Sequence, residues 1–151
     1  MEIVRTANTH ADFILLTAAL DAELRARYGA GQDRYDRHNV IAPVDTALVG
    51  YADGEPAGCG CFRAVGGGAV EMKRMFAAAA HRRKGYGREI LRALEEWAAE
   101  LGFDSAMLET GKGQPEAIAL YRGKGYVITE NYGPYVGLEN SVCMKKALSR
   151  A

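Results

Sequence analysis

Between His81 and Arg88 the chain reads His-Arg-Arg-Lys-Gly-Tyr-Gly-Arg, collecting Arg82, Arg83, Lys84 and Arg88 around Gly85 and Gly87. A strand pattern ends at Phe76 just before this segment, and an amphipathic helix pattern starts just after it. The opening amides of a helix have no internal acceptor, and the macrodipole adds roughly half a positive charge there. Glycines let an anion approach the backbone without a Cβ in the way, and the cationic side chains surround it with charge. The chemistry written here is diphosphate binding. Two familiar nucleotide loops fail on spacing: only Gly85-x-Gly87 is present, so neither G-x-x-x-x-G-K-[ST] nor G-x-G-x-x-G is satisfied. Taken alone, the segment is also compatible with a tight strand-to-helix turn carrying solvated arginines.

The elements around it follow from periodicity. Ile3 to Thr6 has strand character, and Thr9-x-x-Asp12 has the form of a capping box opening a helix with Phe13, Leu16, Leu20 and Leu24 on one face. Gly29 and Gly31 close that helix, and Gln32 to Asn39 reads as a short helix or a loop. Ala47 to Tyr51, Pro56 to Val65 and Val70 to Phe76, separated by Asp53-Gly54 and Gly66-Gly67-Gly68, predict a three-stranded antiparallel meander. After Gly87 the period turns helical, with Ile90, Leu91, Leu94, Trp97, Ala98 and Leu101 on the inner face and Arg92, Glu95, Glu96 and Glu100 on the outer. Ser105 to Glu109 is the next strand. Pro115 opens a helix ended by Gly125, with Ala117, Ile118 and Tyr121 facing inward. Tyr126 to Thr129 and Ser141 to Leu148 are the last strands, joined by a Gly/Pro-containing loop. The fold class is α/β (α+β): one domain over residues 1–151, with a mixed, mostly antiparallel sheet of six to seven strands and about four helices.

Composition narrows the function classes. Lys+Arg 19 against Asp+Glu 19 gives no net charge, which argues against an extended polyanion such as nucleic acid. Only Tyr86 is interleaved in the basic segment, where RNA binding would want several stacking aromatics. Cys59, Cys61 and Cys143 are an odd set without zinc-knuckle spacing, and His10, His38 and His81 are scattered. They read as buried apolar thiols with no metal site, in a cytoplasmic, reducing compartment. No stretch has the length of a membrane helix or the form of a leader, so no membrane partner is expected.

Arg82-Arg83-Lys84-Gly85-Tyr86-Gly87 resembles the [RQ]-x-x-G-x-[GA] acyl-CoA motif of the GNAT superfamily of acetyl-CoA-dependent N-acetyltransferases. Independently, the run from Gln114 to Tyr126 resembles the family's N-x-x-A-x-x-L-Y-x-x-x-G-[FY] segment, in the correct order. The resemblance covers about Thr46 to Leu148, and the N-terminal third only by its element order. It implies that the pyrophosphate of coenzyme A rests on the loop Arg83 to Arg88, and that the pantetheine arm pairs with Met75, Phe76 and Ala77. It implies a contact from Gln114, and Tyr121 near the sulfur as acid to the departing thiolate. Three positions depart from the pattern: Ala77 to Ala80 replaces Val-x-Pro-Glu, Arg83 stands where glycine is common, and Gln114 stands where asparagine is usual.

Acetyl transfer needs a neutral amine, and an amine of pKa about 10.4 is neutral in roughly one molecule per few thousand at pH 7. Glu71, eleven residues before Arg82, holds the spacing of a catalytic glutamate in some histone-modifying members of the family. It is the expected general base, directly or through water, and the competing reading is a carboxylate paired with Lys73 or Arg74. Strand alternation puts Glu71, Lys73 and Met75 on one face and Met72, Arg74 and Phe76 on the other. Glu109 falls where the fifth strand would part from the fourth and would make an acidic mouth for an amine. Tyr35, Asp36, Tyr132 and Tyr135 are further cleft candidates. The expected partners are acetyl-CoA and a primary amine of a small molecule or peptide, with a homodimer through the C-terminal strand left open. The rival is a non-catalytic module of the same fold that senses acyl-CoA.

Overall fold

The computed structural model describes residues 1–29 and 42–148. Seven strands, β1 (Glu2–Thr6), β2 (Ala47–Ala52), β3 (Glu55–Gly66), β4 (Ala69–Ala77), β5 (Ser105–Gly111), β6 (Val127–Thr129) and β7 (Ser141–Ala147), form one sheet. Its order is β1-β2-β3-β4-β5-β7-β6, antiparallel throughout except between β4 and β5. Three α-helices lie among the described residues: α1 (Ala11–Tyr28), α2 (Tyr86–Glu100) and α3 (Pro115–Gly123). The fourth helix candidate, Gln32 to Asn39, falls outside the described residues, as do Gly31, Tyr35 and Asp36.

The two faces of the sheet carry separate cores. Phe13 and Leu16 of α1 pack on Ala47, Val49, Cys59, Cys61 and Phe76. Ile90, Leu91, Leu94 and Ala98 of α2, with Tyr121 of α3, pack on Leu48, Phe62, Val70, Met72 and Leu108. The run Gly58-Cys59-Gly60-Cys61 divides by parity between them. Both cysteines point to the α1 side, and both glycines lie under α2. A Cβ on Gly60 would come within 2.9 Å of Leu94 Cδ1, so the glycine lets the helix seat directly on the strand. Cys59, Cys61 and Cys143 are free and buried, in keeping with the reading as apolar thiols, and burial pushes Cys59 and Cys61 up to about 12.

Four local expectations need correction, the simplest being Leu101, expected on the inner face of α2 and exposed at its C-cap. The N-cap of α1 is His10, not Thr9: its Nδ1 accepts the Asp12 amide at 3.1 Å. Glu95, expected on the outer face of α2, is buried. Its carboxylate accepts Tyr126 Oη–H at 2.8 Å and Lys146 Nζ–H at 2.9 Å, so two later partners convert a polar-face residue into a buried link between α2 and β7. On β4 the alternation breaks. Lys73 pairs with Cys61 and Phe76 with Cys59, so β4 spends two residues, Arg74 and Met75, where β3 spends one. This β-bulge, with Arg74 at φ +59°, turns Arg74 toward α1 and sends Met75 with Met72 into the α2 core.

Candidate active site

The parallel pairing of β4 with β5 covers only Ala69, Val70 and Glu71 against Ser105, Ala106 and Met107. Both strands then continue, β4 to Ala77 and β5 to Gly111, without pairing to each other. The wedge between them holds a cavity of about 130 Å³. Its walls are Lys73, Arg74 and Met75 of β4, Glu109 to Gly111 of β5, Gln114 and Tyr121 of α3, and Leu20, Leu24 and Tyr28 of α1, with Tyr135 and Asn140 from the β6–β7 loop. The β4 edge that β5 abandons is a row of backbone groups facing this space.

At one end of the wedge lies the glycine-basic loop. Gly85, the N-cap of α2, has φ +79°, a left-handed conformation that glycine adopts without penalty. The first helical bond runs from the Glu89 amide to the Gly85 carbonyl, so the amides of the opening turn, Tyr86 to Arg88, have no helical acceptor. Gly87 faces Leu120 of α3, which brings this helix start beside the helix that carries Tyr121. The loop cations divide into two kinds. Arg82 is tied down, donating from Nη2 to Glu23 at 2.6 Å and from Nε to the Ala77 carbonyl at 3.0 Å, with its guanidinium over the Phe76 ring. Arg83, Lys84 and Arg88 are exposed. Arg83 has φ +65°, which explains physically why glycine is the common residue at this place.

The cavity wall carries ionisable and hydroxyl side chains. Glu109 lies in the cavity wall with its Oε2 accepting Ser141 Oγ–H at 2.7 Å. Burial raises its pKa above the ordinary 4.5, against the opposing pull of the Ser141 hydrogen bond and the Lys73 charge. Tyr121 is buried at the cavity, and burial, then the Glu109 charge, holds its phenol protonated. Tyr121 also meets Tyr126 edge to face at 5.9 Å, which fixes the ring. Lys73 donates to Tyr135 Oη at 3.1 Å, and burial lowers its pKa.

Glu71 is 1 % exposed and does not line the cavity. Its Oε1 takes Arg63 Nε–H at 2.9 Å, with Lys73 Nζ at 3.9 Å, and its Oε2 takes Tyr132 Oη–H at 2.9 Å. The cleft thus gathers Met75, Gln114, Tyr121 and Glu109, leaves Glu71 behind its wall, and puts Phe76 and Ala77 at the strand end that anchors Arg82. The sequence places Leu20 and Leu24 on one face of α1 with Phe13 and Leu16, and helical periodicity is the same for a core face and a cleft face: Leu20 packs on the α1-side core and also lines the cavity, which Leu24 lines too. Nothing in the sequence gives Arg74 a part in the site, because the bulge that turns it there has no local signal.

The sequence profile of the Acetyltransferase (GNAT) family matches residues 14–126. An "IAA acetyltransferase" of Azospirillum brasilense is 34% identical over 137 residues, covering 89% of this chain and 90% of that one. Among solved structures, a candidate acyl-CoA N-acyltransferase from Klebsiella pneumoniae is 36% identical with a TM-score of 0.81, over 98% of this chain and 97% of that one. A GNAT acetyltransferase of Elizabethkingia anophelis with acetyl-CoA bound shares the fold at a TM-score of 0.60 and 16% identity, over 68% of this chain and 75% of that one. The parted strands, the glycine loop at the start of α2 and these matches agree: the chain belongs to the GNAT family of acetyltransferases and is an acyltransferase.

Proposed function

We propose that the protein transfers the acetyl group of acetyl-CoA to a primary amine by direct attack in a ternary complex, with Glu109 as general base and Tyr121 as general acid. The observation that carries this reading is the meeting of Glu109 and Tyr121 at one cavity, between parted strands and beside a helix start suited to a diphosphate. Acetyl-CoA fits the groups present. The unpaired edge of β4 at Met75 to Ala77 suits the pantetheine amides, and the turn Arg83 to Arg88 suits the pyrophosphate. Gln114, the N-cap of α3, lines the same cavity as Met75. Bound there, acetyl-CoA supplies the thioester.

Glu109 takes the amine proton as the new C–N bond forms, and a carboxyl held above its ordinary pKa is the better acceptor. Tyr121 returns a proton to the sulfur as the C–S bond breaks, which requires a phenol that stays protonated at working pH. Glu71 serves at one remove, holding Arg63, Lys73 and Tyr132 around the acceptor side. Among the described residues no helix is long and apolar enough to cross a membrane, and three buried thiols suit a reducing cytoplasm.

The test is a primary-amine library with purified protein and acetyl-CoA, reading free thiol release, beside a thermal shift. Acetyl-CoA at about 100 times its Kd adds roughly 2.7 kcal/mol of stability. A shift with thiol release that depends on the amine supports the proposal. A shift without release from any amine favours the sensing module, and no shift at millimolar ligand removes both.

A further inference from the structure

Arg74 is a non-glycine residue at φ +59°, in a β-bulge, with its side chain only 8% exposed. Left-handed backbone is disfavoured for an ordinary residue, and such strain persists where the surroundings over-determine it. Here Nη2 donates to the Thr17 carbonyl at 3.0 Å and to Asp21 Oδ1 at 2.8 Å, both on α1. The guanidinium is therefore clamped from one edge, while Nε and Nη1 have no acceptor among the described residues. The same side chain lines the cavity that Glu109 lines from β5. A fixed guanidinium with a spare edge, in a largely desolvated cleft, suits a carboxylate.

Resting on the acetyltransferase reading above, we infer that the acceptor is an amino acid, with its amine at Glu109 and its carboxylate received by Arg74. The neighbouring charges support this division. Lys73 is the other cation in the wall, and it is engaged by Tyr135 Oη at 3.1 Å, with Glu71 at 3.9 Å and the Glu109 charge opposite. Asp21 lies on the α1 edge of Arg74, away from the spare donors. Leu20 and Leu24 give the cleft an apolar wall next to Arg74, where an amino-acid side chain can rest. A plain amine would leave the spare guanidinium edge buried and unpaired on closing the cleft, and that cost is the discrimination.

The experiment compares amino acids with their amides and their decarboxylated amines, side chain held constant, on the full chain. The expected kcat/KM preference for the amino acid is about 100-fold. Arg74→Gln is expected to erase it by raising KM for the amino acid while leaving the decarboxylated amine within about threefold, and Arg74→Lys to restore part of it. A second arm measures the thermal shift given by amino acid or amide to protein saturated with coenzyme A, which needs no turnover. If the amino acid alone stabilises and Arg74→Gln loses the effect, the carboxylate site stands even where no thiol is released. Equal use and equal binding of all three compounds, or an equal loss on all three in a folded Arg74→Gln, overturns it.

Discussion

The glycine loop and the cavity wall are neighbours, linked by β4 and by the approach of Gly87 to Leu120, and are made of different materials. In the loop the groups suited to an anion are backbone amides, ordered by one left-handed glycine and one helix start, and among the described residues only Arg82 of its cations is held by partners. In the wall the groups are side chains drawn from four segments: Lys73, Arg74, Glu109 and Tyr135 are held by hydrogen bonds and Tyr121 by its edge-to-face contact with Tyr126. A backbone site tolerates side-chain changes and can take one cosubstrate throughout a family. A side-chain site is specific, and on the proposed reading it is where acceptor choice would reside.

Substitutions can break this comparison at its strongest points first. Glu109→Gln is nearly isosteric and is expected to lower kcat by about 10² to 10⁴, the usual range for a general base, with acetyl-CoA affinity kept. It also carries a stability signature. Folding raises the Glu109 pKa, so folding disfavours the ionised form: stability is fully present below the unfolded value and is lost as pH rises through the folded one. The variant should therefore melt no lower than the parent at neutral pH, and the difference should close at acid pH, as differential scanning would read. Tyr121→Phe should cost about 10² in kcat where chemistry limits the rate, while its acetyl-CoA Kd, from calorimetry, moves far less.

On the loop side the effects are smaller and fall on binding. Gly85→Val places a β-branched residue at φ +79° and should weaken acetyl-CoA about tenfold through the distorted helix start, with kcat at saturation close to the parent. Arg83→Gly relieves a left-handed arginine at the cost of one exposed charge, and acetyl-CoA affinity should change by less than about threefold. A large loss there would mean that this arginine side chain, and not the backbone, holds the phosphates.

The same division governs what the sequence discloses. The strand–glycine turn–helix order of the loop was legible because it is written in local signals: glycine spacing, a strand end and a helix start within a dozen residues. The sheet was legible for a similar reason, since alternation and turn residues set β2, β3 and β4 locally. The acceptor wall was not, because it is set by long-range events. The bulge at Arg74 reverses the face of every later β4 side chain, and nothing at Arg74 itself announces it. Glu71 has the spacing of a base, yet Arg63 on β3 and Tyr132 in a distant loop occupy its oxygens. Glu95, expected on the outer face of α2, was misplaced by partners 31 and 51 residues away.

The account turns on which carboxylate takes the proton, and the most direct measurement is the pH dependence of the single-turnover rate for the parent, Glu109→Gln and Glu71→Gln at saturating acetyl-CoA. The parent should show an acid break with a midpoint above the ordinary carboxylate value of 4.5, the rate rising as Glu109 loses its proton. The account predicts that the break disappears with Glu109→Gln and survives in Glu71→Gln. A break that survives in Glu109→Gln and vanishes in Glu71→Gln would contradict it.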